Sequence, residues 1–280
     1  MKFCSYLKEN IALILAMICV IIAKLLLTDT CFFWDSVSLI SVPANFLYET
    51  NFSSLFYPPE INLTLATLPQ VYTAVVWSLF GRSLFVTHLA YLPFALMFVY
   101  QVYLLCKRFF SKQFLIFSFL FILFNATIAV QILLLTPDLF LLAFSVWCLN
   151  SLFAKKNVQI MCSLFLLATV SDRGMILSGI LILYHFVLSI SQGNFSWKAT
   201  KTVFWIYLPT IFFVFFVLCI QKILSGYFLL NTNETSPWYE HWQIVGFYDF
   251  FRNIAVEIFR YVENGQGVIF LLFLFVLISS

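Results

Sequence analysis

The sequence is dominated by eight long runs of apolar residues. Hydrophobic residues occupy 63% of the 280 positions and charged residues 10%, which is more apolar surface than a soluble domain of this length could bury. A helix needs about 20 such residues to cross the hydrocarbon of a bilayer. Because open sheet edges cannot lie in lipid, we predict an all-α, polytopic transmembrane bundle of about eight spans. The runs cover 11–27, 83–106, 113–131, 139–154, 157–170, 175–190, 202–224 and 266–280.

The net charge, the cysteines and the isolated polar residues inside these runs each have a simple structural explanation. The net charge of +3 is thinly spread with no basic stripe, which argues against a nucleic-acid partner. Seven cysteines occur without a CxxC pair, so we expect small core residues and neither disulfides nor a metal site. Lys24 lies near the end of the first run, and we expect its side chain to extend to the membrane interface. His88 and His185 have no partner at ligand spacing.

Charge asymmetry predicts the orientation. Lys2 and Lys8 precede the first span and no small-residue cleavage site follows it, which indicates an uncleaved anchor with a cytoplasmic N-terminus. The segment 62–80 decides the rest. If it crosses the membrane, seven basic residues lie outside, against the positive-inside rule; if it lies along the outer interface, all seven are cytoplasmic. We therefore expect 62–80 to lie outside. The seven are Lys107, Arg108, Lys112, Lys155, Lys156, Lys198 and Lys201.

Two outer segments then follow from this orientation. The first, 28–82, is interrupted by prolines and predicts a loop with interfacial helices. The second, 225–265, contains a stretch from Phe247 to Tyr261 with apolar residues at helical spacing, typical of an amphipathic helix on the membrane surface. We thus divide the chain into a transmembrane module, 1–224, which includes the loop 28–82, then the outer loop 225–265, and a last span, 266–280, for which truncation stays open.

Three short motifs place acids at helix ends on the outer side. They are Trp34-Asp35-Ser36 after the first span, Thr136-Pro137-Asp138 before a later span, and Ser171-Asp172-Arg173-Gly174 in a tight connection. A carboxylate at a membrane boundary is usually solvated, paired or functional. Each acid taken alone is more typical of an ordinary solvated loop residue, Asp138 and Asp172 are also consistent with helix N-caps, and Arg173 with a local ion pair to Asp172. Their occurrence on one face favours a functional site.

The order of these motifs resembles the GT-C class of membrane glycosyltransferases, which use polyprenyl-phosphate sugars. The resemblance is closest to the branch of protein O-mannosyltransferases and the lipid A aminoarabinose transferase, and it covers roughly residues 10 to 190. The matching features are Asp35 directly after the first span, a Pro58-Pro59 turn leading through an aromatic helix to Leu79-Phe80-Gly81, and Thr136-Pro137-Asp138. The resemblance implies a GT-C-like fold with 62–80 on the outer side.

The resemblance also implies an enzyme, an inverting glycosyltransferase. Asp35 is expected to act as the general base on an acceptor hydroxyl, and Asp138 to orient the sugar as a second catalytic residue. Leaving-group chemistry points to Arg173 for the lipid phosphate. A divalent metal ion, if one is used, is expected at Asp35 and Asp138. The full set of expected substrate contacts is Trp34, Glu60, Asp172 and Arg173.

The expected partners are a polyprenyl-phosphate sugar donor, membrane lipids and an acceptor lipid, glycan or protein. Nothing in the sequence indicates an organelle signal, so we expect the plasma (inner) membrane of a bacterium and a role in the cell envelope. Two alternatives stay open: a non-enzymatic lipid-glycan transporter or flippase, and an inactive or truncated homologue. A transporter typically places charged or helix-breaking residues near mid-membrane. This chain places them at the outer boundary, which favours the enzyme.

Overall fold

The computed structural model describes residues 2–33, 36–58, 61, 65–191, 197–225, 248, 251–252 and 254–256. The chain divides into two units, Met1–Leu230 and Asn231–Ser280. In the second unit the few described residues are helical. Most of the amphipathic helix expected from Phe247 to Tyr261, and the whole last span 266–280, lie outside the described residues.

Every regular element of the described residues is helical, which confirms the all-α prediction. A single antiparallel bridge joins Phe56 and Leu65, and a π-helical turn covers Val37–Ser41. The α-helices are α1 (Lys2–Leu26), α2 (Val42–Glu49), α3 (Leu68–Phe80), α4 (Leu84–Phe109), α5 (Lys112–Leu123), α6 (Ala126–Leu133), α7 (Asp138–Phe153), α8 (Asn157–Ala168), α9 (Asp172–Ser191) and α10 (Trp197–Ser225).

Two of the described helices are long and apolar enough to cross a membrane, α4 and the stretch Phe204–Ile223 of α10. A third candidate arises if α5 and α6, which meet at a bend of 66°, are taken as one span. The helices α7 and α8 have 16 and 12 residues, so they are about 24 and 18 Å long against ~30 Å of hydrocarbon. The structure thus has two or three candidate spans, and a total of about eight stays a prediction.

The apolar run 113–131 breaks into α5 and α6 at Asn125. The Asn125 side chain accepts a hydrogen bond from the Ile128 amide at 3.4 Å and thereby begins α6 as its N-cap. Asparagine favours such caps because its short side chain competes with the helical hydrogen bonds of the backbone. One polar residue in an apolar run therefore turns a continuous helix into a bent pair.

Contacts between α1 and α4 show that these helices are antiparallel. At one end Tyr103 Oη donates to Asn10 Oδ1 at 3.0 Å, and at the other His88 Nε2 lies 3.0 Å from the Thr30 carbonyl oxygen. Helix α7 runs parallel to α4, since the Phe140 ring near its start lies 5.1 Å from Tyr91 near the start of α4, and Asn150 near its end donates to the Gln101 carbonyl in the later part of α4. We call the end of the bundle at the start of α7 the Asp138 end, and the end at Asn10 and Tyr103 the Asn150 end.

The segment between α1 and α4 begins and ends at the Asp138 end. Its helix α3 folds back along the first turns of α4: Trp77 Nε1 donates to Thr87 Oγ1, and Tyr72 Oη donates to the Ala90 carbonyl, both at 2.8 Å. With 13 residues, α3 is about 20 Å long. That 62–80 lies along the outer interface stays a prediction.

Candidate functional site

The structure brings Asp138 and Arg173 together at the starts of two helices. Arg173 Nη1 lies 3.7 Å from Asp138 Oδ1, and the two side chains are 78% and 33% exposed. The Arg173 ion pair is therefore with Asp138 and not with Asp172, so the local-pair alternative is wrong. At this distance the pair is too long for a strong hydrogen bond, and an exposed pair contributes at most about 1 kcal/mol. Arg173 can rotate to another anion at little cost.

The position of Arg173 is not explained by helix stability. It is the second residue of α9, and the partial positive charge at a helix N-terminus disfavours a cation there. The acids Asp138 and Asp172, each the first residue of its helix, are favoured by the same field. An arginine in an unfavourable place beside two acids is therefore a candidate for an anion-binding role.

The backbone of Arg173 is held by the start of α9. Ser171 Oγ accepts a hydrogen bond from the Gly174 amide at 3.3 Å, which caps the helix. A Cβ atom at Gly174 would overlap the Leu167 carbonyl oxygen and lie 3.1 Å from Leu141 Cδ2. Only glycine lets α9 approach α8 and α7 this closely. The tight connection was visible in the sequence, but the need for Gly174 was not.

Asp172 lies beside this pair in a less solvated place. Its carboxyl group is half-buried ahead of the apolar run of α9, and this burial raises its pKa above the ordinary value. The role of Asp172 as a substrate-binding residue stays a prediction.

Asp35, Trp34 and Glu60 lie outside the described residues, but the residues around Asp35 are well anchored. The Ser36 amide donates to the Phe33 carbonyl at 2.8 Å. The Phe32 ring packs edge-on against Trp77, with ring centroids 6.3 Å apart. On the other side, the Leu39 carbonyl accepts from Gln70 Nε2 at 2.8 Å. Both flanks of Asp35 are therefore fastened to α3.

Helix α3 also reaches the connection between α8 and α9. The Leu68 amide at its start donates to the Thr169 carbonyl at 2.8 Å, and Thr169 is three residues before Asp172. Through α3, the flanks of Asp35 and the Asp138–Arg173 pair lie at the same end of the bundle. This is the arrangement expected if the three motifs form one site.

Two polar side chains at this end are buried, and the sequence prediction for one of them, Lys24, is wrong. Lys24 is 1% exposed, and its Nζ donates to the Leu134 carbonyl at 3.3 Å, four residues before Asp138. The expectation that it extends to the interface is therefore wrong, because the end of α6 covers it. His88 is equally buried, and its Nδ1 has no hydrogen-bond partner among the described residues. In the sequence, the only indication of these two buried groups is one Lys and one His within apolar runs.

The metal expected at Asp35 and Asp138 stays a prediction, because Asp35 lies outside the described residues. The Asp138 carboxylate already faces the Arg173 guanidinium, and a divalent cation bound to the same carboxylate would be repelled by that charge. Within the part of the chain that the structure describes, no group of three or more His, Cys, Asp or Glu side chains converges. Among the described residues, the charged partner of Asp138 is Arg173.

Comparison of this chain with protein-family models, with curated proteins and with solved structures finds no match.

Proposed function

We propose that this chain is a membrane glycosyltransferase that moves a sugar from a polyprenyl-phosphate donor to a lipid, glycan or protein acceptor. The site would lie on the outer face of a bacterial plasma membrane, with the N-terminus in the cytoplasm. One observation carries the proposal: the Asp138–Arg173 pair lies at the same end of the bundle as the anchored flanks of Asp35. The motif order that resembles GT-C enzymes is its second support.

The proposed reaction is a single displacement with inversion. The acceptor hydroxyl oxygen attacks the anomeric carbon while Asp35 takes the hydroxyl proton. The bond between the anomeric carbon and the phosphate oxygen breaks, and the lipid phosphate leaves with the electron pair. A positioned base contributes about 10²–10⁴ in rate, so Asp35 is the residue on which turnover depends most.

The leaving phosphate gains negative charge, which a nearby cation must stabilise. Arg173 is the candidate, because its side chain is 78% exposed and its ion-pair partner among the described residues is Asp138, at a long 3.7 Å. A guanidinium can bind two phosphate oxygens at once. Asp138 keeps Arg173 near the site before the donor arrives and contacts the sugar afterwards. Trp34, Glu60 and Asp172 complete the proposed substrate contacts.

The first test is transfer of radiolabelled sugar from a panel of polyprenyl-phosphate donors in membranes that express the full chain. We expect Asp35→Asn to lower transfer by about 10²–10⁴ and Arg173→Gln by about 10²–10³. The matched control is Arg82→Gln, since Arg82 is an exposed arginine at the same end of the bundle that binds Glu49 at 2.9 Å. This variant should keep nearly full activity.

Two results would contradict the proposal. Transfer that survives Asp35→Asn removes that residue from the chemistry, and equal losses in Arg173→Gln and Arg82→Gln remove Arg173. If the native chain, expressed at a confirmed level, transfers sugar from no donor of the panel, the flippase and inactive-homologue alternatives are favoured over the transferase.

A further inference from the structure

A polar cavity lies at the Asn150 end, remote from the site just described. Its volume is about 450 Å³, and it opens between the end of α4, the end of α7 and the start of α8. Twelve residues separate Asp138 from Asn150 along α7, which corresponds to about 18 Å. The side chains that matter below are Lys107, Arg108, Lys156, Trp147 and Asn150, all of which line this cavity.

The cavity concentrates positive charge. Lys107, Arg108 and Lys156 come from two different helix ends, and none of the described residues that line the cavity is acidic. The ion pairs of the described residues do not include any of these three cations. Arg108 contacts the Phe153 ring, 5.5 Å from its centroid, which leaves its N–H groups available. Three cations around one cavity repel each other unless an anion lies between them.

Asn150 adds an unused acceptor to the same cavity. The residue is 7% exposed, and its Nδ2 donates to the Gln101 carbonyl at 2.8 Å and to Gln101 Oε1 at 2.9 Å. Because a backbone carbonyl only accepts, this pair of bonds defines which amide atom is the nitrogen. Asn150 Oδ1 is then buried without a partner in the described residues. A buried acceptor of this kind requires a donor, which a ligand can supply.

We propose that this cavity binds the headgroup of an acidic phospholipid that carries a hydroxyl group beyond its phosphate, such as phosphatidylglycerol. The three cations hold the phosphate and Asn150 Oδ1 accepts the hydroxyl. The cavity lies at the end of the candidate span α4, where headgroups lie, and Trp147 lines it with the amphipathic ring typical of that depth. Basic pockets between helix ends are known to bind anionic headgroups. A free phosphate ion would leave most of the cavity unfilled.

The proposal is tested on the full chain, purified in a neutral detergent, by native mass spectrometry with added phosphatidylglycerol or phosphatidylcholine. We expect retention of phosphatidylglycerol over phosphatidylcholine. The double variant Lys107→Gln/Lys156→Gln should weaken phosphatidylglycerol binding by about 25-fold, from roughly fivefold for each lysine. The matched control is Lys112→Gln/Lys155→Gln, which removes the same charge from nearby connections but from residues that do not line the cavity. It should change binding less than about threefold.

Equal losses in the two double variants would overturn the proposal, because binding would then follow net charge. So would equal retention of the two lipids by the native chain. Competition by millimolar inorganic phosphate as effective as that by phosphatidylglycerol would show a free-phosphate site and overturn the lipid assignment. A photoreactive phosphatidylglycerol on the native chain gives a test without mutation: adducts must map to 100–108 and 147–159, and adducts confined elsewhere contradict the site. None of these results depends on glycosyl transfer.

Discussion

Gln70 is the side chain that holds the polar segment around Asp35 together. Its Oε1 accepts from Tyr57 Oη at 3.1 Å and from the Thr67 amide at 2.8 Å, and its Nε2 donates to the Leu39 carbonyl at 2.8 Å. The bond to Thr67 is half of a capping box, which a Thr followed three residues later by Gln predicts. The other two bonds join distant segments, and no local pattern indicates them. Burial also raises the pKa of Tyr57, which favours its protonated, donating form.

The first prediction at this scale concerns Gln70→Leu. The substitution keeps the volume but leaves the Tyr57 hydroxyl, the Thr67 amide and the Leu39 carbonyl without their partner. Each buried group left unsatisfied costs about 1–3 kcal/mol, so we expect local opening of the segment to become easier by at least about 3 kcal/mol. Hydrogen exchange of the amides in 37–49 and 68–80, compared with the amides of α4, measures this.

Tyr57→Phe is the graded control, since it removes one of the three bonds and should cost only about 1 kcal/mol. If Gln70→Leu exchanged no faster than Tyr57→Phe, Gln70 would not be what anchors the flanks of Asp35.

At the scale of elements, small residues let α9 pack closely on α8. Gly174 has no room for a Cβ atom, and one turn later Ser178 Oγ donates to the Leu164 carbonyl at 3.3 Å and to the Gly174 carbonyl at 2.8 Å. Close backbone approach over small residues at a spacing of four is the usual geometry of membrane helices, because lipid supplies no hydrophobic force between them. This contact fixes the orientation of the start of α9, and therefore the direction in which the Arg173 side chain projects from the helix.

A second prediction tests this packing with two glycines of one helix. Gly174→Ala forces α9 away from the Leu167 carbonyl and should destabilise the protein by about 1–3 kcal/mol. Gly179→Ala meets nothing within 4 Å and should be neutral or stabilising by up to about 1 kcal/mol, since alanine favours helix more than glycine. Melting temperatures of the purified variants in one detergent measure both. A Gly174→Ala protein as stable as Gly179→Ala would contradict the close approach.

The sequence predicts helices better than it predicts their interruptions. The apolar run 83–106 corresponds closely to α4, because twenty or more apolar residues after a Ser N-cap leave few alternatives. The run 113–131 contains a helix break at Asn125. A hydropathy average over many residues does not show this break, although the polar residue itself is apparent in the sequence. Asp138 and Asp172 at helix starts follow from local signals. The Asp138–Arg173 contact does not, since it depends on how α7 and α9 pack across 35 positions of sequence.

At the scale of the whole molecule, the two ends of the bundle differ in charge. The Asp138 end carries the acids Glu49, Asp138 and Asp172 beside the exposed arginines Arg82 and Arg173. The Asn150 end carries Lys107, Arg108 and Lys156 around the polar cavity, and none of the described residues that line this cavity is acidic. Lys24 shows that the position of a charged residue in the sequence does not predict whether its side chain is exposed. Lys24 lies near the Asp138 end of α1, yet it is buried under the end of α6. Burial of a cation by a neighbouring helix cannot be read from its own apolar run.

This asymmetry makes the orientation in the membrane testable. The positive-inside rule predicts that the Asn150 end faces the cytoplasm, and the antiparallel arrangement of α1 and α4 requires both ends of the intervening segment to lie on the opposite side. In a cysteine-free background, Arg82→Cys and Arg173→Cys should therefore react with a membrane-impermeant maleimide added to intact cells. Lys107→Cys and Lys155→Cys should react only after permeabilisation.

All four positions are exposed in the structure. A position that fails to react therefore lies on the side of the membrane that the reagent cannot reach, and its failure is not due to burial in the protein. Labelling of residue 107 from outside would invert the bundle and move the Asp138–Arg173 pair to the cytoplasm, away from any acceptor outside the cell. Labelling of residue 82 from inside, with residue 173 still outside, would instead mean that 62–80 crosses the membrane. That result would contradict the α1–α4 geometry, because a crossing at 62–80 would put the two ends of the intervening segment on opposite faces. The predicted pattern therefore tests the orientation and the fold of the first outer segment in one experiment.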